Sequence, residues 1–396
     1  MNNKELKKIF NERKTKPKCP YTYVCGGCDL QELSYKDQLE YKQIKTEQIL
    51  GKFGQVSNII GMENPKHYRN KVHATFAYER GKIISGLYEK NTHNVININT
   101  CMIQDDRANR IIATITDMVN KSRIKAFDED QGTGLLRHVL IRTAHKTGEI
   151  LVVLVVASDY FPSRNNFAKE LMRKHPEITT IVQNINDRKT SMILGYDERV
   201  LKGKGYIIDE LCGLTFRISP QSFYQVNSIQ AEKIYEIALN FAELTGEELV
   251  LDAYSGIGTI GLIASKSARK VIGVESNTQA VYDSIKNAKA NDIKNVKFYK
   301  DDASEFLLKA ANHGENFDVV FLDPPREGSE ESFLSSLVKT NPKRIVYISC
   351  NPETQARDLK YLTSFNYDVK LTQPVDMFPF TTHTETVVLL KRNDTN

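Results

Sequence analysis

The sequence predicts an α/β chain: a Rossmann-like, mainly parallel sheet in the C-terminal half, a β-rich central part before it, and a cysteine-bearing segment at the N-terminus. Three observations carry this. From about residue 216, short apolar runs alternate with helix-length stretches, which argues parallel strands joined by helical crossovers. Among those runs are Leu249-Val-Leu-Asp252, Lys270-Val-Ile-Gly-Val-Glu275 and Val346-Tyr-Ile-Ser-Cys350. Residues 59–215 read as strands separated by Gly-rich turns, as in Lys71-Val-His-Ala-Thr-Phe-Ala-Tyr78, His138-Val-Leu-Ile-Arg142 and Ile150-Leu-Val-Val-Leu-Val-Val156. Residues 1–58 carry a basic arm, a cysteine loop and one helix.

In chain order, the arm comes first. The net charge of the whole chain is +5, and residues 1–20 alone hold Lys4, Lys7, Lys8, Arg13, Lys14, Lys16 and Lys18 against Glu5 and Glu12. Such an arm reads as a solvated, disordered tail, as a flexible supplier of salt-sensitive phosphate contacts, or as both. Cys19, Cys25 and Cys28 follow, with Cys101 as a distant fourth. Four thiolates can bind zinc or a [4Fe-4S] cluster, and spacing alone leaves both open. The three-plus-one pattern, with Gly26 and Gly27 easing a tight loop, leans toward iron-sulfur. Cys212 reads as a plain buried or loop thiol. A helix is expected from Tyr35 to about Phe53, and its mix of Lys, Glu and Gln suits an exposed face.

The central part, residues 59–215, is expected to contain one helix around Arg164 to Lys174. Arg69, Lys71 and His73 share one side of an extended segment, because alternate strand residues share a face. Arg137, His138 and Arg142 form a second basic group. Arginine grips phosphate in a fork and stacks on bases, so these faces suit a single-stranded RNA loop; the competing reading is an ordinary solvated strand face.

Chemistry concentrates in residues 216–396. Leu249 to Gly261 reads as a strand, a Gly-rich turn and a helix start, where backbone approaches a ligand closely and the helix N-terminus draws polar groups. The next strand ends in Glu275, placed to accept from both ribose hydroxyls. That much fits a dinucleotide or S-adenosylmethionine. Asp323-Pro-Pro-Arg326 then ends another strand in a turn that the dinucleotide fingerprint does not demand. Cys350 follows on the same sheet edge, where open α/β sheets present their chemistry, and Asn351-Pro352 ends its strand there. A thiol beside a methyl donor points to methylation of a carbon, with Glu385 in a later strand-like run as its acid or base.

Five motifs now fall in one order: Gln221-Ser-Phe-Tyr-Gln225-Val-Asn227, Asp252-Ala-Tyr-Ser-Gly-Ile-Gly258, Asp323-Pro-Pro-Arg326, Ser349-Cys350-Asn-Pro352 and His383-Thr-Glu385. From about residue 19 to its end the chain resembles the bacterial RNA uridine-C5 methyltransferases, in their iron-sulfur, ribosomal-RNA branch. The resemblance implies a class I methyltransferase domain that makes 5-methyluridine. Cys350 would add to uracil C6, C5 would take the methyl group of S-adenosylmethionine, and Glu385 would remove the C5 proton so that the thiol leaves. It implies Gln225, Tyr254, Glu275 and Asp323 at the cofactor, with Thr259 and Asp302 as further candidates. Asp302 is equally well read as a helix N-cap. Asp323 and Arg326 would line the pocket of a flipped-out uridine. Cys19, Cys25, Cys28 and Cys101 would hold a [4Fe-4S] cluster.

The implied substrate is 23S rRNA, with the T-loop uridine of tRNA as the alternative. The family often carries an additional N-terminal OB-like RNA-binding domain, for which the residues before Cys19 leave no room. Two rivals remain: a DNA cytosine-C5 methyltransferase, against which stand the late position of the cysteine and the four-cysteine set, and a non-catalytic RNA-binding assembly factor, against which stand Cys350 and Glu385. With 396 residues, two or three domains are expected. The start lacks an apolar signal region and no run approaches a membrane span, so a cytoplasmic monomer is expected, in the reducing compartment that free thiols need.

Overall fold

The computed structural model describes residues 3–122, 124–188 and 192–393, the side chains of residues 3–5 and 7 excepted. Two seven-stranded sheets and one hairpin organise them. The central sheet comprises β1 (Lys71–Glu79), β2 (Lys82–Tyr88), β3 (Val95–Asn97), β4 (Leu136–Thr143), β5 (Ile150–Val156), β6 (Ile178–Ile185) and β7 (Asp197–Lys202), in the order β3-β2-β1-β4-β5-β6-β7. All its pairs are antiparallel except β5 with β6. The helix Arg164–Lys174 makes that parallel crossover, at the place the sequence predicts.

The continuous apolar run of β5 is explained by burial on both faces. Ile150, Val152, Leu154 and Val156 pack under the helices Asp106–Asn120 and Arg164–Lys174. Leu151, Val153 and Val155 face the other way, into a core shared with the C-terminal half. Each such side chain contributes roughly 1.5–3 kcal/mol of transfer free energy, so the two halves are welded along this face. The helix Asp106–Asn120 was not anticipated; its buried stripe of Ala108, Ile111, Ile112, Ile115 and Val119 is the signal that marks it.

A hairpin of β8 (Ile207–Leu211) and β9 (Leu214–Ile218) leads into the second sheet. A domain boundary between residues 215 and 216, as the sequence suggests, falls inside β9. The second sheet comprises β10 (Leu249–Asp252), β11 (Lys270–Glu275), β12 (Val296–Lys300), β13 (Val319–Leu322), β14 (Arg344–Ser349), β15 (Tyr367–Val375) and β16 (Glu385–Arg392). Their order is β12-β11-β10-β13-β14-β16-β15. The first five strands run parallel and β16 runs against both its neighbours. The chain is thus α/β with a Rossmann-like, mainly parallel sheet.

The N-terminal region departs from two expectations. Residues Asn3–Glu12 form a helix rather than a disordered tail, anchored by Leu6 and Phe10 against Leu30 and Leu33. Two of the arm's cations are spent internally, Arg13 on Asp37 and Glu40 and Lys14 on Glu32; the side chains of Lys4 and Lys7 lie outside the described ones. The helix Tyr35–Leu50 is not simply an exposed one, because its buried stripe is Gln38, Lys42, Thr46 and Leu50. Residues 56–60 then run alongside β15, through the bridges of Val56 with Thr372 and Ile60 with Val375.

Candidate active site

The carboxyl ends of the parallel strands gather the chemistry. Asp252 ends β10, Glu275 ends β11, Asp302 lies just beyond β12, Asp323 follows β13 and Cys350 follows β14. Because β16 is reversed, its first residue, Glu385, arrives at the same edge. The antiparallel register pairs Ser349 with Thr386, which sets Cys350 across from Glu385 at the sheet end. This geometry follows from the reversal alone.

The Asp323-Pro-Pro-Arg326 turn is docked beside the thiol. The Arg326 carbonyl accepts from Asn351 Nδ2 at 3.0 Å and from Thr354 Oγ1 at 3.1 Å. Asn351 also caps the helix Pro352–Thr363, so the residues after Cys350 start a helix and clamp the neighbouring turn together. A cleft of about 490 Å³ opens here, lined by Arg326, Cys350, Asn351, His383 and Thr384 and, from the helix Tyr35–Leu50, by Lys45, Thr46 and Ile49.

Electrostatics inside the cleft is dominated by burial. The Cys350 thiol is pushed up to about 11 by desolvation and by the carboxyls of Glu385 and Asp323, against the opposing pull of the Arg326 guanidinium. Glu385, 3 % exposed, is held well above the usual carboxylate range by burial and by Asp323. Asp323 is pushed up to about 7 by desolvation. A proton on one carboxyl relieves the other, since two carboxylates in one low-dielectric site disfavour double ionisation. Tyr235, buried, is hydrogen-bonded to Gln225 through its hydroxyl and feels the field of both acids.

The Gly-rich turn fits a nucleoside. Gly256 has a φ of +52°, and no atom lies within 4 Å of where a Cβ would stand, so its face is open to a ligand. Glu275 is aimed by two backbone bonds, Oε2 accepting from Gly256 N–H at 3.0 Å and Oε1 from Asn277 N–H at 2.7 Å. Its remaining lone pairs suit a ribose diol. Asp252, absent from the predicted set, fixes the turn from below: Oδ2 accepts from Gly261 N–H at 2.8 Å, while Oδ1 is buried without a partner. Tyr254 lies half-buried with its ring 5.4 Å from that of Phe333, and Thr259 opens the helix Thr259–Ala264. Asp302 does cap a helix, its Oδ1 accepting from Ser304 and Glu305 N–H at 2.9 and 3.2 Å, which leaves Oδ2 for a ligand.

The four predicted metal ligands converge without closing into a tight set. Each of Cys25, Cys28 and Cys101 feels the field of other thiols of the four, and burial pushes Cys28 up to about 12. Cys28 and Cys101 both pack on the cluster of Met62, Tyr68, Ile103 and Phe380. Among the described residues, no group of three or more His, Cys, Asp or Glu side chains is arranged to hold a metal ion. An all-thiol donor set is nonetheless chemically apt for a soft iron or zinc centre.

The basic faces divide. Arg69, Lys71 and His73 do share one face, each half-buried. Desolvation and the neighbouring cations bring Lys71 down to about 8 and His73 to about 4, so His73 is neutral at pH 7. Arg137 and Arg142, expected to meet RNA, are turned inward. Arg137, 3 % exposed, donates to the carbonyls of Asn186 and Arg188, both at 2.8 Å, and pairs with Glu129. Arg142 donates to the carbonyls of Ser222 and Pro220 and so ties β4 to the segment before Gln225. Polar residues placed on a strand buried on both faces were bound to serve internal carbonyls.

Comparison with known proteins identifies the family. Residues 34–393 match the family described as tRNA (uracil-5-)-methyltransferase, and the chain belongs to it. An uncharacterized RNA methyltransferase of Caldanaerobacter subterraneus subsp. tengcongensis is 42% identical over 96% of this chain and 85% of its own length. One from Oceanobacillus iheyensis is 41% identical over 98% of this chain and 85% of its own. Among solved structures, the tRNA (uracil-54, C5)-methyltransferase of Pyrococcus abyssi in complex with S-adenosyl-L-homocysteine is similar, with TM-score 0.78, 28% identity, and coverage of 92% of this chain and 86% of that one. The protein is an S-adenosylmethionine-dependent RNA uracil-C5 methyltransferase with a class I methyltransferase fold. Among the described residues no helix is long and apolar enough to cross a membrane.

Proposed function

We propose that this chain methylates C5 of a uridine in 23S rRNA, with Cys350 as nucleophile and Glu385 as the base that releases the product. The observation that carries the reading is the juxtaposition of a half-buried thiol and a buried carboxyl across the β14–β16 register. Uracil C5 is too weak a nucleophile on its own. Addition of the Cys350 thiolate to C6 pushes electrons onto O4 and makes C5 enolate-like. S-adenosylmethionine, when bound, supplies the electrophilic methyl group at C5. Glu385 then takes the C5 proton, the C–H electrons re-form the C5=C6 bond, and the C6–S bond breaks to return the thiolate. Asp323 and Arg326 line the base pocket, and Arg326 lowers the cost of the thiolate. Gln225, Tyr254, Glu275 and Asp323 hold the cofactor, with Thr259 and Asp302 beside them.

C5 and C6 are shielded in stacked RNA, so the target is flipped into the cleft. Lys45 and Arg326 at its mouth supply charge for the flanking phosphates, and the Arg69–Lys71 face of the central sheet extends the track. We assign Cys19, Cys25, Cys28 and Cys101 to a [4Fe-4S] cluster, supported by the chemistry of an all-thiol donor set and by the family resemblance. All these roles lie within one chain, which we read as a cytoplasmic monomer in three parts: the cysteine segment, the central RNA-gripping unit and the catalytic domain.

Ribosomal RNA is favoured by the four-cysteine set, which marks that branch of the family. The T-loop uridine of tRNA is the second reading, favoured by the Pyrococcus neighbour, whose described target is tRNA uracil-54. Mapping 5-methyluridine by mass spectrometry in 23S rRNA and tRNA from a deletion strain tests both. Loss from 23S rRNA alone supports the first; loss from tRNA alone overturns it.

A further inference from the structure

Glu385 is reached from β15 through residues 376–384, and the N-terminal helix Tyr35–Leu50 holds that connection by charge. Lys42 and Asp376 form an ion pair at 2.5 Å with both side chains fully buried. Lys42 Nζ also donates to the Phe378 carbonyl at 3.0 Å, and the Tyr35 hydroxyl donates to the second Asp376 oxygen at 2.8 Å. One turn along the helix, Gln38 Oε1 accepts from Phe380 N–H at 2.9 Å. The Phe380 carbonyl in turn accepts from the amides of Asp29 and Leu30, at 3.0 and 2.9 Å, so the cysteine loop grips the same segment. From the other side, Asn227 and Gln230 donate to the carbonyls of Met377 and Asp376, at 2.9 and 3.0 Å.

A buried ion pair adds little net stability over apolar residues of the same volume, because desolvation offsets the attraction. What Lys42 and Asp376 supply is direction: they fix where the chain turns back toward β16. We infer that Lys42 and Asp376 are positioning residues for Glu385, acting through the 376–384 connection without touching substrate. The inference rests on the proposed role of Glu385 as the C5 base. A general base works only within hydrogen-bond reach of its proton, and a misplacement of about 1 Å costs on the order of 100-fold. Loosening the pair therefore slows the elimination half of the reaction and leaves methyl transfer, which needs Cys350 and the cofactor, largely intact.

The test uses the full-length protein carrying Lys42→Met together with Asp376→Leu, an apolar replacement of both partners that leaves no buried charge alone. Gln38→Ala, which removes the acceptor for Phe380 N–H and the donor to the Leu33 carbonyl, is measured in parallel, and Glu385→Gln is the control. Readouts are the thermal midpoint, single-turnover transfer of labelled methyl groups to RNA, and the fraction of labelled RNA held in a denaturant-stable adduct. The inference expects a folded double variant with near-normal methyl transfer, product release slowed by about 10- to 100-fold, and the adduct seen with Glu385→Gln. Normal release without adduct from a folded double variant overturns it while leaving the role of Glu385 standing. Should the double variant not fold, Gln38→Ala decides by the same criterion. Absence of adduct from Glu385→Gln itself overturns the role of Glu385, and the inference with it.

Discussion

Cys350 feels the charge of two buried acids and one guanidinium, and the balance among them sets its reactivity. Burial, Glu385 and Asp323 raise the thiol to about 11, and Arg326 opposes them. At pH 7 the free protein therefore carries a thiol, and the thiolate fraction grows roughly tenfold per pH unit below that value. Alkylation of Cys350 by iodoacetamide, followed by mass spectrometry, is expected to climb steadily from pH 7 past pH 9; a plateau by pH 8 contradicts the assignment. Removing the guanidinium takes away a stabiliser of the thiolate, so Arg326→Ala raises the thiol further and slows alkylation at pH 8 by roughly 3- to 10-fold. Cys350→Ala is expected to abolish methylation while calorimetry still shows S-adenosylmethionine binding, because the thiol meets the base and not the donor. Substantial residual turnover removes Cys350 from its role.

The turn after β10 and the central sheet are where elements, rather than single groups, decide the outcome. Gly258 sits at a φ of +85°, and a Cβ there would stand 2.7 Å from Phe298. Gly258→Ala is expected to cost about 1–3 kcal/mol of stability and to weaken cofactor binding, read by thermal unfolding and calorimetry. Arg142 serves internal carbonyls, so Arg142→Met is expected to destabilise by about 2–4 kcal/mol without changing the salt dependence of RNA binding. Arg69→Ala should instead reduce that logarithmic salt slope by about 1.

The contrast between the two arginines shows what was legible in the sequence. β11 and the helix Arg164–Lys174 were read residue for residue, because a strand bounded by turns and a helix bounded by a break are local patterns. Cys350, Glu385 and Asp323 could be placed at one sheet edge because strand ends are also local. Lys42 was missed, since a cation on a helix reads as exposed until its partner, distant in sequence, is known. Its one signal was the i, i+4 row of Gln38, Lys42, Thr46 and Leu50, a stripe that is polar yet buried. Arg137 and Arg142 misled for the same reason: strand alternation says which side a residue faces, not whether that side meets solvent or a second domain.

At the scale of the whole molecule, one core joins the central sheet to the catalytic sheet, and the cysteine segment closes over the connection that precedes Glu385. The cluster proposed there predicts that anaerobically purified protein is brown, with about four irons per chain, and that Cys25→Ser loses the colour. Stoichiometric zinc without iron contradicts the cluster and leaves the methylation chemistry untouched. That chemistry, a thiolate addition resolved by Glu385, is the central claim, and it separates into two halves in a single variant. With Glu385→Gln, a radiolabelled methyl donor and an RNA fragment containing the target uridine, a denaturing gel reads protein-bound and free methylated RNA together. The account predicts a labelled, shifted band, because C5 is methylated but cannot lose its proton and Cys350 stays attached. Normal free product with no shifted band would show that another group takes the proton.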